Sequence, residues 1–234
     1  MPKIDVEDHY LTVINWFWTD TQDKQDQLLN AMSEIVSTAE FPGWISSTVH
    51  SGLEKRGTLN FIQWRSKDDL ELRYAGEKFK HHTIPLFSEI TTSFKLLQNE
   101  VVYAQRHPSQ GDATTISPDR GDYTVVEFHG VDQENQDALI EALGPAHEWL
   151  RDVPGYRSHT VLRGLGARYF DGSFVIRYSQ WQDRASYDAF RSAPESAQNT
   201  ARRQSQDLVR DLVTSSEWNS YRVVQTRSAG QPVG

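Results

Sequence analysis

The chain has 234 residues, 24 Lys and Arg against 32 Asp and Glu for a formal net charge of −8, no cysteine, and an aromatic complement of seven Trp, nine Tyr and ten Phe. That charge balance, with no basic run, argues against a nucleic-acid surface, which needs concentrated Lys and Arg. The lack of cysteine excludes disulfides, thiolate metal sites and a cysteine nucleophile. With no apolar signal core at Met1–Asp5 and no stretch near the ~18 apolar residues of a membrane span, a cytoplasmic protein without a membrane partner is expected.

Leu11 to Trp18 alternates as a strand does, and Thr19-Asp20-Thr21 then caps a helix carrying Leu28, Leu29, Met32, Ile35 and Val36. Phe41-Pro42-Gly43 ends that helix. Strands at Trp44–His50 and Thr58–Trp64 flank turn-forming residues and read as a hairpin. Helical sequence is expected over about Asp69–Lys78 and Pro85–Leu96, then a strand at Glu100–Gln105. Residues 107–122, rich in Pro, Gly, Ser, Asp and Thr, read as a linker. Beyond it come a strand at Tyr123–His129, a helix over about Asn135–Arg151, hairpin strands at Tyr156–Arg163 and Gly172–Trp181, helices from Ala185 and Ala197, and a strand near Ser220–Gln225. Residues 227–234 are expected to fray.

The two halves are copies. Thr12 to Pro42 aligns with Thr124 to Pro154 without a gap, pairing Asp20 with Asp132 and Pro42-Gly43-Trp44 with Pro154-Gly155-Tyr156. Phe61-Ile62-Gln63-Trp64 then answers Tyr178-Ser179-Gln180-Trp181, the offset larger by five because the second hairpin turn is longer. Each copy reads β-α-β-β-α-β, the order of a ferredoxin-like unit with helices on one sheet face. Two units, 1–106 and 123–226, are expected to bury their open faces against each other as an α+β, barrel-like pseudo-dimer within one chain.

Leu59-Asn60-Phe61-Ile62-Gln63-Trp64-Arg65-Ser66, preceded by Phe41-Pro42-Gly43-Trp44 and the strand ending at His50, resembles the antibiotic biosynthesis monooxygenase family of dimeric α+β barrels. The resemblance is greatest to the small oxygenases that convert anthrones to quinones in aromatic polyketide pathways, and the fused arrangement is also similar to the angucycline ring-opening oxygenases. It implies catalytic roles for Asn60 and Trp64, with His50 as the family's strand histidine. The second copy keeps Trp181 but has Arg177 for the Asn and Leu162 for the His. Conversely, the family's helix Trp and the Tyr after the strand Trp occur only there, as Trp149 and Tyr187, the latter answering Leu70.

Asn60 and Trp64, four apart on one strand, leave the same face about 13 Å apart, spacing that brackets a flat ligand. An electron-rich phenol or anthrone reacts with O2 once deprotonated. The residue types then suggest His50 as base, Asn60 as donor to the oxyanion, and Trp64 as stacking wall or indole donor. Asn15 is expected in the same pocket, with Tyr74 and His82 following on helical sequence; Trp149, Trp181 and Tyr187 line a second pocket or merely fill it.

No metal-ligand spacing, Gly-x-Gly-x-x-Gly or P-loop occurs, so no tightly bound cofactor is expected. O2 is the expected co-substrate. Reduced flavin (FADH2 or FMNH2) from a separate reductase is compatible, and a homodimer of the fused chain is left open. Quinone formation and ring opening stay open as outcomes. So do two other readings: a haem-degrading monooxygenase, which would use Asn15 and His82, and a non-catalytic binding module of the same fold.

Overall fold

The computed structural model describes residues 1–231. In chain order the strands are β1 (Lys3–Ile4), β2 (Leu11–Trp18), β3 (Trp44–Gly52), β4 (Gly57–Trp64), β5 (Ser93–Arg106), β6 (Thr114–Thr115), β7 (Tyr123–Val131), β8 (Tyr156–Arg168), β9 (Ser173–Trp181) and β10 (Val213–Ser228). The α-helices are α1 (Gln22–Ser37), α2 (Lys67–Ala75), α3 (Ile84–Ile90), α4 (Gln136–Leu143), α5 (Arg184–Ser192) and α6 (Thr200–Leu212). Side-chain oxygens of Thr21, Ser66, Asp183 and Asn199 accept from backbone N–H groups in the first turns of α1, α2, α5 and α6, satisfying donors that a helix start leaves open.

Eight strands close into an antiparallel barrel in the order β10-β3-β4-β2-β5-β8-β9-β7. Each unit supplies four, and the last strand of each unit seals the barrel: β5 pairs with β2 of its own unit and β8 of the other, and β10 pairs with β7 and β3. Both sealing strands are long and carry register shifts, the bulges that let a strand turn a barrel corner. The interior is a packed core of Ile14, Trp16, Leu59, Phe61, Phe128, Leu162, Ile176 and Tyr178, so the barrel is no channel. Helices cover the outer faces, α1–α3 over the first unit and α4–α6 over the second.

The glutamines that the repeat places before Trp64 and Trp181, Gln63 and Gln180, make matching hydrogen bonds in both units. Ser46 Oγ donates to Gln63 Oε1 at 2.7 Å and Gln63 Nε2 donates to the Lys3 carbonyl at 2.9 Å; Ser158 Oγ donates to Gln180 Oε1 at 2.7 Å and Gln180 Nε2 donates to the Thr115 carbonyl at 3.0 Å. The two glutamines thereby hold β1 and β6, a two-stranded ribbon from which Ile4, and Ile116 just beyond β6, reach into the barrel core.

Two helix expectations are corrected, and the linker and tail carry short structured pieces. The helix expected over Pro85–Leu96 stops at Ile90 and β5 starts at Ser93, because Thr91 turns to extended backbone and the apolar residues that follow face the sheet. The helix expected over Asn135–Arg151 breaks at Gly144-Pro145 into α4 and a 3-10 segment, Pro145–Asp152, since Pro145 lacks the N–H that a continuing helix needs. The linker 107–122 carries β6. Of the tail, β10 continues through Ser228 and the Ala229 N–H donates to the Ile45 carbonyl at 2.8 Å; residues 232–234 lie outside the described residues.

Candidate functional site

Between the outer face of the first unit's sheet and α1–α3 lies a slot lined by Val13, Asn15, Asn60, Ile62, Trp64, Leu70, Arg73, Tyr74, Phe79, Thr83 and Phe87, among others. Asn15 on β2 and Asn60 on β4 are cross-strand partners, so both carboxamides leave the same face side by side. Trp64 follows Asn60 on that face, and Tyr74 descends from α2. The Oδ1 atoms of Asn15 and Asn60, the Trp64 indole N–H and the Tyr74 hydroxyl are all buried without a hydrogen-bond partner. An unsatisfied buried polar atom costs about 1–3 kcal/mol, and four of them converge here on a slot that a polar molecule, water or ligand, can enter.

Arg73, which sequence reasoning missed, adds a half-buried cation. Its guanidinium lies 4.3 Å from the Phe41 ring centre and 5.1 Å from that of Phe79, and it makes no ion pair among the described residues. Burial pushes the Tyr74 phenol well above its ordinary range, so it stays a donor. The roof over Arg73 and Tyr74 includes a π-helical turn, Phe79–Thr83, a widened geometry that recurs at functional sites. The slot holds 60 Å³, room for a few water molecules, against the roughly 300–1,000 Å³ typical of ligand pockets.

His50 is not in the slot. The pairing places Val49 opposite Asn60 and His50 opposite Leu59, and cross-strand partners share a face, so His50 points into the barrel. A bulge between Trp44 and Ser46 is the cause: it turns Ser47 and Val49 toward the helices and leaves Ser46, Thr48 and His50 inside. There His50 is fully buried, bonded to the Leu59 carbonyl at 3.2 Å and the Tyr178 hydroxyl at 2.9 Å. Burial lowers its pKa to about 4. It is a core histidine on the opposite face of the sheet from the slot. His82 is exposed on the π turn and does not line the slot.

The second unit departs from this pattern at two positions that matter most. The alignment that pairs Asn60 with Arg177 also pairs Asn15 with Glu127, and Glu127 and Arg177 are again cross-strand partners. They form an ion pair through Arg177 Nε and a Glu127 oxygen. Burial acts to raise the Glu127 pKa, but the Arg177 charge and hydrogen bond outweigh it and hold the carboxyl below its usual value. The pair floors a cavity of 590 Å³ lined also by His129, His147, Tyr187, Phe190, Arg191, Arg202 and Trp218. This polar floor splits the outer core of the second unit into two clusters, whereas the outer core of the first unit is continuous.

Of the residues expected around a second pocket, Tyr187 lines this cavity. Trp149 lies behind it, its indole N–H donating to Ser205 Oγ at 3.3 Å, and Trp181 is buried with its N–H donating to Ser179 Oγ at 3.2 Å. The expected residues therefore fall in four places: Asn15, Asn60, Trp64 and Tyr74 together in the slot, His50 in the barrel, His82 exposed on the π turn, and the second-unit aromatics at or behind the larger cavity, of which Tyr187 alone lines it. Glu127, His129, His147 and Arg202 escaped sequence reasoning. For Glu127 the signal existed, since the constant repeat offset sets it against Asn15.

No helix among the described residues is long and apolar enough to cross a membrane. Residues 123–202 match the family model for antibiotic biosynthesis monooxygenase. Tetracenomycin-F1 monooxygenase of Streptomyces glaucescens is 26% identical over 105 residues, which span 40% of this chain and 93% of that protein, one relative's length to about one repeat. The crystal structure of an anthrone oxidase-like protein superposes with a TM-score of 0.96 at 49% identity and covers 98% of both chains. A major regulator of staphylococcal pathogenesis matches with a TM-score of 0.53 at 12% identity, over 92% of this chain and 99% of that one, a likeness of fold alone. Identity at that level to the anthrone oxidase-like protein, across nearly the whole of both chains, establishes that this chain belongs to the antibiotic biosynthesis monooxygenase family, with two family units fused in one barrel.

Proposed function

We propose that the protein oxygenates a polycyclic aromatic polyketide of the anthrone or hydroquinone type with O2, and that the slot of the first unit is where it does so. The observation that carries this reading is the convergence of four orphaned polar atoms, on Asn15, Asn60, Trp64 and Tyr74, inside an otherwise apolar and aromatic slot. Apolar walls take the rings, and the polar atoms take the one edge of the ligand that carries oxygen.

The chemistry follows from that division. The indole N–H of Trp64, the Tyr74 hydroxyl and the Nδ2 groups of Asn15 and Asn60 donate to the substrate oxygen, and their hold tightens as it becomes an oxyanion, while the two carboxamide Oδ1 atoms accept from a neighbouring substrate hydroxyl. Arg73 adds positive potential at low dielectric. No imidazole or carboxylate lines the slot among the described residues, so the slot acidifies the substrate by stabilising its anion, and the proton leaves to water. The anion passes an electron to O2, the two radicals join at the ring carbon, and the resulting hydroperoxide loses water to give the carbonyl. One oxygen atom enters the product, the other leaves as water, and the ring CH2 supplies all four electrons, so no external reductant is required. A three-ring substrate exceeds the slot as it stands, and entry needs the Phe79–Thr83 roof to shift.

The test is oxygen consumption with an anthrone in the presence of catalase and without flavin, the product formed under 18O2 being analysed by mass. One O2 consumed per quinone, with a single labelled oxygen in the new carbonyl, supports the reading. Turnover that appears only when reduced flavin is supplied would replace it with a flavin-dependent ring-opening reaction.

A further inference from the structure

We infer that the cavity of the second unit is a separate ligand site, for a planar aromatic molecule bearing a carboxylate. Four arginines and one glutamate line it. Arg177 is neutralised by Glu127, and Arg210 pairs with Asp207 at 2.7 Å, with Asp211, exposed and further off at 3.8 Å, supplying one extra negative charge. Arg191 and Arg202 have no carboxylate partner among the described residues. In a chain of net charge −8, two uncompensated guanidinium groups at one cavity are a local excess of the opposite sign.

Arg202 makes the site more than a charged surface. It is 8% exposed, its Nη2 donates to the Phe190 carbonyl at 2.8 Å, and its Nε is buried without a partner. His129, 7% exposed, offers a second orphan: Nδ1 is bonded to Ser216 Oγ at 2.8 Å, and Nε2 has no partner. Desolvation of such groups is uncompensated until something binds. The aromatic requirement comes from the walls. Arg191 lies 4.2 Å from the Trp218 ring centre and Arg202 4.5 Å from that of Phe190, with Tyr187 beside them. A flat ring lying edge-on to Trp218 and Tyr187 would present its acid group to Arg191 and Arg202, which Trp218 and Phe190 hold in place. The volume, 590 Å³, accepts a ligand of two or three rings without rearrangement.

The two units thus differ in degree of charge. Among the described residues, the first has two carboxamides on its floor and one unpaired arginine, Arg73, whereas the second has the Glu127–Arg177 ion pair in the matching positions and two unpaired arginines, Arg191 and Arg202, around it.

Isothermal titration with 2-naphthoate tests this, with 2-acetonaphthone as a neutral ligand of similar shape. The expected result is saturable binding of one naphthoate per chain that the ketone does not match, weakened about tenfold or more in Arg202→Gln and in the rim variant Arg191→Gln. Arg191 is exposed, so its variant folds even where Arg202→Gln does not. Naphthoate binding should survive in Asn60→Ala, which separates this site from the slot whether or not the slot oxygenates anthrones. Equal affinity for acid and ketone, or unaltered naphthoate binding in Arg191→Gln and a folded Arg202→Gln, would overturn the inference.

Discussion

Asn15 and Asn60 face each other across β2 and β4, and the carboxamide oxygen of each is buried without a donor. Residues kept for stability do not look like this, because a buried acceptor with no partner opposes folding. Replacing Asn60 with Leu should therefore leave the melting temperature unchanged or raise it, while oxygen uptake with an anthrone falls about 10²–10³-fold, the size of effect seen when an oxyanion donor, here the carboxamide Nδ2, is removed. Thermal melting and oxygen consumption on the same preparation check both halves of the expectation.

Glu127 and Arg177 stand where the second unit could have had the two asparagines, and their contribution to stability should be tested as a pair. Glu127→Gln leaves Arg177 partly buried and unpaired and is expected to cost about 2–4 kcal/mol in urea unfolding, less than a fully dry pair because the cavity admits water. Adding Arg177→Met to the same chain should recover most of that loss. Equal destabilisation by the single and double variants would show that the ion pair is not what the site depends on.

Four buried histidines outside the slot make stability pH-dependent. Burial, the main cause in each, lowers the pKa of His50 to about 4, of His129 to about 4 and of His147 to about 3, the Arg177 charge adding to the effect at His147, and holds His159 well below its ordinary value. Above the unfolded value near 6.5 both states are neutral and these groups contribute nothing. As pH falls from there, the unfolded chain takes up protons that the folded chain refuses, so stability declines until the folded pKa values near 4 and 3 are reached. Denaturation midpoints should fall between pH 6.5 and 4, and the slope should be shallower in His50→Gln.

How much of this was legible in the sequence depended on what each residue signals locally. Pro42-Gly43 and Pro154-Gly155 announce turns, and in the fold Gly43 and Gly155 sit at φ of 73° and 77°, pressed against Asp69 and Ser186 where a Cβ would collide. The β-hairpins and the repeat followed from such punctuation. The junction of α3 and β5 did not, because Phe87, Ile90, Phe94 and Leu97 recur at helical spacing on both sides of a boundary marked only by Thr91-Thr92. Asn15, Asn60 and Trp64 could be placed together because an unbroken strand alternates faces. His50 could not be excluded, since one bulged residue near Trp44 reverses that alternation and leaves no compositional trace.

The glutamine of the Gln-Trp signature should prove structural. Gln63→Leu removes the bonds to Ser46 and to the Lys3 carbonyl and should lower stability by about 1–3 kcal/mol with little change in turnover of the folded fraction. A large fall in turnover at unchanged stability would move Gln63 into the catalytic set.

The most direct test of the slot is anthrone oxygenation by Trp64→Phe, which keeps an aromatic wall and removes one N–H that has no partner in the protein. The account predicts a chain as stable as the parent with oxygen uptake reduced at least about tenfold. A Trp64→Phe protein that melts normally and consumes oxygen at the parent rate would contradict it and place the chemistry elsewhere, the Glu127–Arg177 cavity first.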